Sequence, residues 1–376
     1  MCSVVIGILF ASNYKFFKQE KFVGKRLLNY FFFFGIFVAI HGIFVAESYV
    51  QWSYLVNVFL PFLMLPCFAI LGANHLVLSK ILRLMLSVTL PLSLLFLIQG
   101  PSDKQSNLVF ITYVASASIF IILLPLLRTK WKFLVLLITI ISFAWDIENR
   151  SNVLNISVSC AMLILYIFSR GAISKKIFSY TLRFLRTVLL FLPILLLLLG
   201  VLGVFNPFKY LENNDKAKAI ELSAESGRNL STDSRTVIYE DAFNNLNNSN
   251  DWIFGSSATV LYATQLSDSL EGYDLGRLGG SESGFIGVLT FGGIIYAVIF
   301  FLLCYHSSRL AILKSENTVI KLVGLYVAYK WFFSFIEFPL GFNFSWIVLF
   351  LAMGITFNSK LRLMSNKQIA EYFGQL

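Results

Sequence analysis

Residues 187–205 read TVLLFLPILLLLLGVLGVF, and residues 206–218 continue as NPFKYLENNDKAK. The first run has no charged residue and is long enough to cross a bilayer as a helix, which takes about 20 apolar residues. The second run opens a polar stretch that extends to Glu282 and holds 12 of the 20 acidic residues of the chain. This boundary decides the fold, because it separates apolar membrane helices from one large polar loop.

The composition of the whole chain is that of an integral membrane protein. Of its 376 residues, 57% are hydrophobic and 13% are charged, whereas a soluble domain carries about 25% charged residues. The mean hydropathy is +0.75. The four cysteines lie in apolar runs without a CxxC pair. Neither a disulfide framework nor a thiolate metal site follows from that spacing.

The apolar runs predict an all-α membrane bundle of about eleven transmembrane helices. We expect them near residues 1–14, 29–46, 53–73, 81–98, 107–127, 131–147, 152–169, 185–205, 283–304, 319–336 and 339–357. The first run is short and lacks the basic start of a signal peptide, so it is either a marginal helix or part of a chain that starts upstream. The predicted division is an N-terminal bundle of about eight spans (1–205), a large loop (206–282), and three spans with a tail (283–376).

Basic residues mark every second connection between the predicted spans. Six connections, from the one at Lys15–Arg26 to the C-terminal tail, hold 21 of the 30 basic residues and only three acids. The positive-inside rule assigns these connections, and the C-terminus, to the cytoplasm. The 206–282 loop is then predicted to be extracytoplasmic. The net charge of +10 is explained by this topology and does not indicate nucleic-acid binding.

The polar loop contains one pattern that is typical of a short amphipathic helix, over residues 234–247. Ile238, Ala242 and Leu246 recur at every fourth position and would share one face of a helix. Asp233 precedes the pattern and is predicted to cap its first turn. We therefore expect a helix that packs back on the membrane bundle.

Two arginines lie on the predicted outer side, against the charge bias of the connections. Arg150 stands between two spans, where Ser151 or Asn152 is placed to cap the next helix, and Arg235 stands in the first turn of the loop helix. A guanidinium beside the free N–H groups of a helix start is suited to a phosphate. The alternative is an arginine paired with a neighbouring acid such as Asp241.

Two further charged residues have both a functional and a plain structural interpretation. Glu282 lies where the loop enters a membrane helix, and is either a helix-start acid or a base for an incoming hydroxyl. Lys330 lies within the tenth predicted span, where a lysine is functional by default. Its alternatives are snorkelling to the interface beside Trp331 and pairing with Glu337 on the same helical face.

The order of these features resembles the O-antigen polymerase and ligase superfamily. The resemblance rests on the Arg-led loop helix, on NDWIFGS at 250–256 and on SESGFIGVLTFGGI at 281–294, and it covers roughly residues 145–300. It implies a glycosyltransferase that acts on undecaprenyl-diphosphate-linked sugars at the outer face of a bacterial inner membrane. Ligases of the superfamily typically carry a histidine in the large loop or at its exit. Here Glu282 occupies that place, which favours a repeat-unit polymerase.

The resemblance also implies roles for individual residues. Arg150 and Arg235 would contact the diphosphate and Glu282 would lie near the acceptor, with Arg228, Arg277 and Lys330 as further substrate-binding residues. The donor is already activated, so we expect no cofactor, no metal and no nucleotide site, and neither GxxxxGK[ST] nor GxGxxG occurs. The expected partners are the lipid bilayer, the undecaprenyl-diphosphate-linked oligosaccharide and a chain-length regulator protein.

Three alternatives stay open at the level of the sequence. One is an O-antigen ligase, which shares the donor. Another is a flippase or transporter for the same lipid-linked sugar, which would carry buried charges along several helices, whereas only Lys330 stands out here. A channel or receptor is the third, although no repeated pattern of pore-lining polar residues is present.

Overall fold

The computed structural model describes residues 22–97, 117–145, 150–171, 174–201, 234–260, 262–263, 277–278, 283–374 and 376. These residues are helical apart from turns and one small ladder, in which the two-residue strands β1 (Tyr262–Ala263) and β2 (Arg277–Leu278) pair antiparallel. The prediction of an all-α bundle is therefore confirmed. The first predicted span, 1–14, lies outside the described residues.

The helices of the described residues are numbered α1 to α13 in chain order. Their bounds are α1 (Lys25–Val45), α2 (Tyr49–Ala73), α3 (His75–Leu84, Met85–Thr89 and Leu90–Leu97), α4 (Ala117–Leu126), α5 (Thr129–Trp145), α6 (Arg150–Ser169), α7 (Lys175–Val201), α8 (Ser234–Ser249), α9 (Gly284–Lys314), α10 (Thr318–Phe333), α11 (Phe344–Phe357), α12 (Ser359–Leu363) and α13 (Asn366–Gly374).

Six of these helices are long and apolar enough to cross a membrane, namely α1, α2, α3, α6, α7 and α9. Two shorter apolar helices, α4 and α11, accompany them. The chain is thus a multi-pass membrane protein by helix length and composition. The larger number of about eleven spans, and the division into three regions, stay predictions.

Two prolines distort α2 and α3 in the same way. The segments Leu55–Phe59 and Met85–Thr89 are π-helical, and each ends two residues before a proline, Pro61 and Pro91. Proline has no N–H and its ring collides with the carbonyl one turn earlier. A widened turn relieves that collision, so both helices continue past their prolines.

Three C-terminal helices, α9, α10 and α11, form the centre of the bundle. They supply the largest fully buried side chains, including Trp331, Trp346, Tyr296 and Tyr326. The outer helices turn large apolar side chains away from the protein, as Phe44 does with 84% of its surface exposed. Such exposure is expected where lipid tails, and not water, surround a helix.

Glycines let α2 and α11 approach each other closely. A Cβ atom on Gly354 would lie 2.1 Å from the carbonyl oxygen of Ala69, and one on Gly72 would lie 2.5 Å from that of Leu351. Small residues at such a contact are a common way to pack membrane helices, because the backbones can then touch.

The two ends of the bundle differ in charge. We call the end at which α8 packs the loop end. The opposite end, where α9 finishes and α10 starts, is called the basic end, because it carries Arg309, Lys314, Lys321 and Arg362. The assignment of the basic end to the cytoplasm, and of the loop end to the outside, stays a prediction.

Candidate functional site

The loop helix α8 packs on the bundle through the face that the sequence predicts. It covers Ser234–Ser249, two residues more than expected. Ile238, Ala242 and Leu246 are 6%, 0% and 0% exposed. Both the helix and its buried face are therefore confirmed, whereas Asp233, the predicted cap, lies outside the described residues.

Tyr239 joins α8 to the start of α9 and the end of α10. Its hydroxyl donates to the carbonyl oxygen of Phe335 at 2.7 Å and lies 3.4 Å from Oγ of Ser283. The Ser283 hydroxyl donates to the carbonyl oxygen of Ser334 at 2.9 Å. Three helix termini are thus held together by hydrogen bonds at the loop end.

α9 is broken in its first third. Gly292 and Gly293 leave helical geometry, and Gly293 adopts a φ of +64° and a ψ of −165°. The span that the sequence predicts near 283–304 is present, but it extends to Lys314 and is interrupted at Gly292 and Gly293. A buried piece (residues 284–291) precedes the break and a long piece (residues 294–314) follows it.

A segment of the polar loop fills the break, and we call residues 251–260 the plug. The Ser256 N–H donates to the carbonyl oxygen of Thr290 at 2.8 Å, and the Ile294 N–H donates to that of Trp252 at 2.8 Å. The broken helix thereby regains partners for backbone groups that would otherwise lie unpaired in the protein interior. Irregular backbone at membrane depth is tolerated only under such cover or beside a water-filled cavity.

The close contact between plug and break requires glycine on both sides. Gly255 has a φ of +78°, and a Cβ atom there would lie 2.5 Å from the backbone nitrogen of Gly292. A Cβ atom on Gly293 would lie 2.3 Å from the carbonyl oxygen of Ile253. Both distances are shorter than any real Cβ contact, and both φ values lie in the region that favours glycine.

Lys330 is buried at the loop end, near the end of α10. It is 1% exposed, and its Nζ donates to Oδ1 of Asn155 in α6 at 2.8 Å. The Tyr329 hydroxyl donates to the same oxygen at 3.0 Å. Four aromatic rings lie 5.1–5.9 Å from the Lys330 ammonium, those of Tyr326, Tyr329, Phe333 and Phe338. Ring faces stabilise a cation at such distances.

This arrangement corrects both structural alternatives for Lys330. Snorkelling is wrong, because the ammonium is enclosed by protein beside a Trp331 that is itself only 1% exposed. Glu337 does not share a helical face with Lys330, because α10 ends at Phe333 and Glu337 lies in the following turn. The apolar surroundings instead make Asn155 the polar partner that the cation needs.

The polar network around Lys330 reaches a third helix. The Tyr326 hydroxyl and Oγ of Ser118 in α4 lie 2.8 Å apart and share a hydrogen bond. Ser118 is 2% exposed and Tyr326 is 0% exposed. α4, α6 and α10 are thus connected by buried polar groups in an otherwise apolar region.

The predicted site residues fall into two groups. Arg150 is the first residue of α6, Arg235 is the second of α8 and Arg277 is the first of β2, and the side chains of these three lie outside the described part of the chain. Arg228 and Glu282 lie outside it altogether. Of the predicted site residues, only Lys330 has a described side-chain environment.

Three of these positions, Arg150, Arg235 and Lys330, lie on helices that meet at the loop end. Arg150 starts the helix that carries Asn155, the partner of Lys330. Arg235 lies one turn before Tyr239 on α8. Ser283, at the start of α9, contacts Tyr239. The starts of α6, α8 and α9 therefore meet the end of α10, whereas Arg277 pairs through its backbone with Ala263 in the small ladder.

Sequence reasoning missed Asn155, Tyr239 and the plug. The signals that could have found them are a polar residue inside an apolar run, for Asn155, and the glycine pair of α9, for the break. Nothing in the sequence identified their partners, because those lie far away along the chain. Among the described residues no group of three or more His, Cys, Asp or Glu side chains could hold a metal ion.

Comparison with known proteins returns no match for this chain, either to a family model, to a curated protein or to a solved structure. The resemblance to the O-antigen polymerase and ligase superfamily therefore rests on the residues quoted above.

Proposed function

We propose that the protein is a polysaccharide repeat-unit polymerase of the bacterial inner membrane. It would transfer an oligosaccharide from an undecaprenyl-diphosphate-linked donor to a lipid-linked acceptor at the outer face. The observation that carries this proposal is the anchoring of α8 by Tyr239. That anchor holds an arginine-led helix against the start of α9 and the residues after α10, and α6 contacts the same end of α10 through Asn155 and Lys330.

Three helix starts at one end of the bundle give this site a positive electrostatic potential. A helix start exposes free N–H groups and carries a partial positive charge. Arg150 and Arg235 belong to the first turns of two of those helices. Guanidinium groups bind phosphate oxygens through two parallel hydrogen bonds. Together these groups would stabilise the negative charge that develops on a diphosphate leaving group.

The proposed reaction needs one bond to form and one to break. An acceptor hydroxyl attacks the anomeric carbon of the donor sugar, and the bond from that carbon to the diphosphate oxygen breaks. The hydroxyl proton passes to the Glu282 carboxylate, and the electron pair leaves with the undecaprenyl diphosphate. Arg228, Arg277 and Lys330 would support binding of the lipid-linked sugars, Lys330 by fixing α6 against α10. No metal takes part in this mechanism, and a chain-length regulator would act on the same end.

A flippase for the same lipid-linked sugar is the second candidate, and the break in α9 favours it. Discontinuous helices with buried charges are typical of transporter binding sites. In this chain, however, the plug fills the break with backbone hydrogen bonds. An O-antigen ligase differs from the polymerase only in its acceptor.

The test uses the full chain, purified and reconstituted in liposomes with undecaprenyl-diphosphate-linked repeat units and excess EDTA. A polymerase lengthens these units into a ladder of longer products. We expect Glu282→Gln to form this ladder much more slowly at an unchanged protein level. Movement of unchanged units across the bilayer would make the protein a flippase. Activity that returns only with magnesium, manganese or calcium would contradict the metal-free mechanism.

A further inference from the structure

The basic end contains buried hydrogen-bond donors that lack partners. Among the described residues, four buried side-chain atoms make no hydrogen bond, and three of them, Nε of Arg362, Oγ of Ser315 and Nδ2 of Asn74, belong to the basic end. The residues themselves are 6%, 7% and 1% exposed. A buried donor without an acceptor is destabilising, so a cluster of such donors needs an explanation.

Backbone contacts bring Arg362 and Ser315 together. The N–H of Glu316, the residue after Ser315, donates to the carbonyl oxygen of Arg362 at 2.9 Å. Asn317 strengthens the same junction, because its Nδ2 donates to the carbonyl oxygens of Leu361 and Met364 at 2.8 and 2.9 Å. The short helix α12 is thereby fixed against the turn between α9 and α10.

The surroundings of Arg362 are strongly cationic. Arg309, Lys314 and Arg362 all lie close enough to His306 to interact with it electrostatically. Arg309 and Lys314 are exposed, whereas His306 is half-buried. The Arg362 side chain is 6% exposed, and this burial lowers the pKa of its guanidinium. Glu316 is the nearest acid in sequence, and its side chain is exposed.

We propose that this cluster is a binding site for a phosphate group, and specifically for the phosphate of an anionic phospholipid headgroup. Arg362 and Ser315 form the floor, and Arg309, Lys314 and His306 form the rim. A phosphate diester offers the buried donors two non-bridging oxygen acceptors that share one negative charge, and that charge reduces the repulsion among the cations. The site lies where the last spans leave the apolar core, which is the level of lipid headgroups, and basic pockets between membrane helices bind such headgroups. This inference is independent of the proposed polymerase activity.

The test measures how many phospholipids bind to the full chain and how tightly, by native mass spectrometry from mixed micelles. Phosphatidylglycerol is the anionic probe, phosphatidylcholine is the neutral reference, and inorganic phosphate is added in a separate arm. We expect one phosphatidylglycerol to bind in preference to phosphatidylcholine. Arg362→Gln should weaken that binding about tenfold or more, as expected for the loss of a charge-assisted hydrogen bond.

Matched variants keep the test decisive. Lys360→Gln removes the same charge from an exposed residue of the same helix and should bind phosphatidylglycerol like the unmodified chain. Arg309→Gln and Ser315→Ala probe the rim and the floor separately, should Arg362→Gln fail to fold. Normal phosphatidylglycerol binding by both Arg309→Gln and Ser315→Ala would overturn the proposal. Inorganic phosphate that competes fully at millimolar concentration, with no preference between the two lipids, would overturn the lipid assignment and leave a site for free phosphate.

Discussion

The loop end and the basic end differ in how completely their buried polar groups are hydrogen-bonded. At the loop end, Lys330, Tyr239 and Ser283 all donate to oxygen atoms of neighbouring elements. At the basic end, Arg362 and Ser315 keep buried atoms without a hydrogen-bond partner among the described residues. A donor left in that state costs about 1–3 kcal/mol. Among the described residues, these donors of the loop end are therefore satisfied within the protein, whereas the anion that we propose would stabilise the basic end.

The largest expected effect is a difference in chemical labelling between the two ends, which we expect to lie on opposite sides of the membrane. In a chain without its native cysteines, Asn248→Cys at the loop end should react completely with a membrane-impermeant maleimide in whole cells, given access through any outer membrane. Lys360→Cys at the basic end should stay unlabelled until the inner membrane is opened. Asn248 is chosen because it is exposed, whereas the neighbouring Asn247 accepts a hydrogen bond from Trp252. The reverse labelling pattern would overturn the topology.

Disruption of the plug should be the most destabilising change at the loop end. Gly293→Ala places a Cβ atom 2.3 Å from the carbonyl oxygen of Ile253 at a φ of +64°. Overpacking and backbone strain together should lower the free energy of unfolding by about 3 kcal/mol or more. Thermal unfolding in detergent, followed by tryptophan fluorescence, measures the loss. Gly341→Ala is the control, because its Cβ atom would meet only Val58 at 3.8 Å.

The arginines of the loop end should be required as guanidinium groups. Arg150→Lys and Arg235→Lys keep the charge but lose the planar pair of donors. We expect each to slow ladder formation about tenfold to a hundredfold, because roughly 1.5–3 kcal/mol of charge-assisted hydrogen bonding is lost. Arg170→Lys, an exposed residue over the Tyr166 ring, is the control and should keep a normal ladder. A normal ladder from Arg235→Lys would remove that residue from the site.

The Lys330 site should respond in a way that depends on which partner is removed. Asn155→Leu leaves the ammonium buried without its acceptor and should destabilise the protein by about 2 kcal/mol. Lys330→Met replaces the cation by an apolar side chain of similar length and should cost less, because a buried charge has its own desolvation cost. The double variant should recover most of the stability that Asn155→Leu loses. Additive losses in thermal unfolding would show that the two side chains are not coupled.

The smallest effect is expected from the anchor of α8. Tyr239→Phe removes only the hydroxyl that donates to Phe335, so the loss of stability should be about 1 kcal/mol. The rate of ladder formation should also fall, even though the protein stays folded, because the start of α8 is no longer held against α9. Tyr49→Phe is the matched control, since Tyr49 is 87% exposed. Equal activity in both variants would contradict the role given to the anchor.

The helices were predictable from the sequence because their determinants are local. Runs of apolar residues gave the helical bundle, and the four-residue spacing of Ile238, Ala242 and Leu246 gave the buried face of α8. The contacts of Lys330 were not predictable, because Asn155 lies 175 residues away and many polar residues could have met it. The break at Gly292 and Gly293 was not predicted, although a glycine pair stands there in the sequence. Its partner in the plug was not predictable, since backbone hydrogen bonds leave no trace in side-chain identity.

The pairing of the plug with α9 sets an order of events during biosynthesis. The plug leaves the ribosome before Thr290 and Ile294 have been made, so its backbone groups have no partners at first. At roughly 5–20 residues per second, a few seconds pass before the second half of the break is available. Residues 294–314 are long enough to cross the bilayer alone, at about 30 Å for 1.5 Å per residue. The nascent chain would then insert this piece first, and the plug would close the break only after insertion is complete.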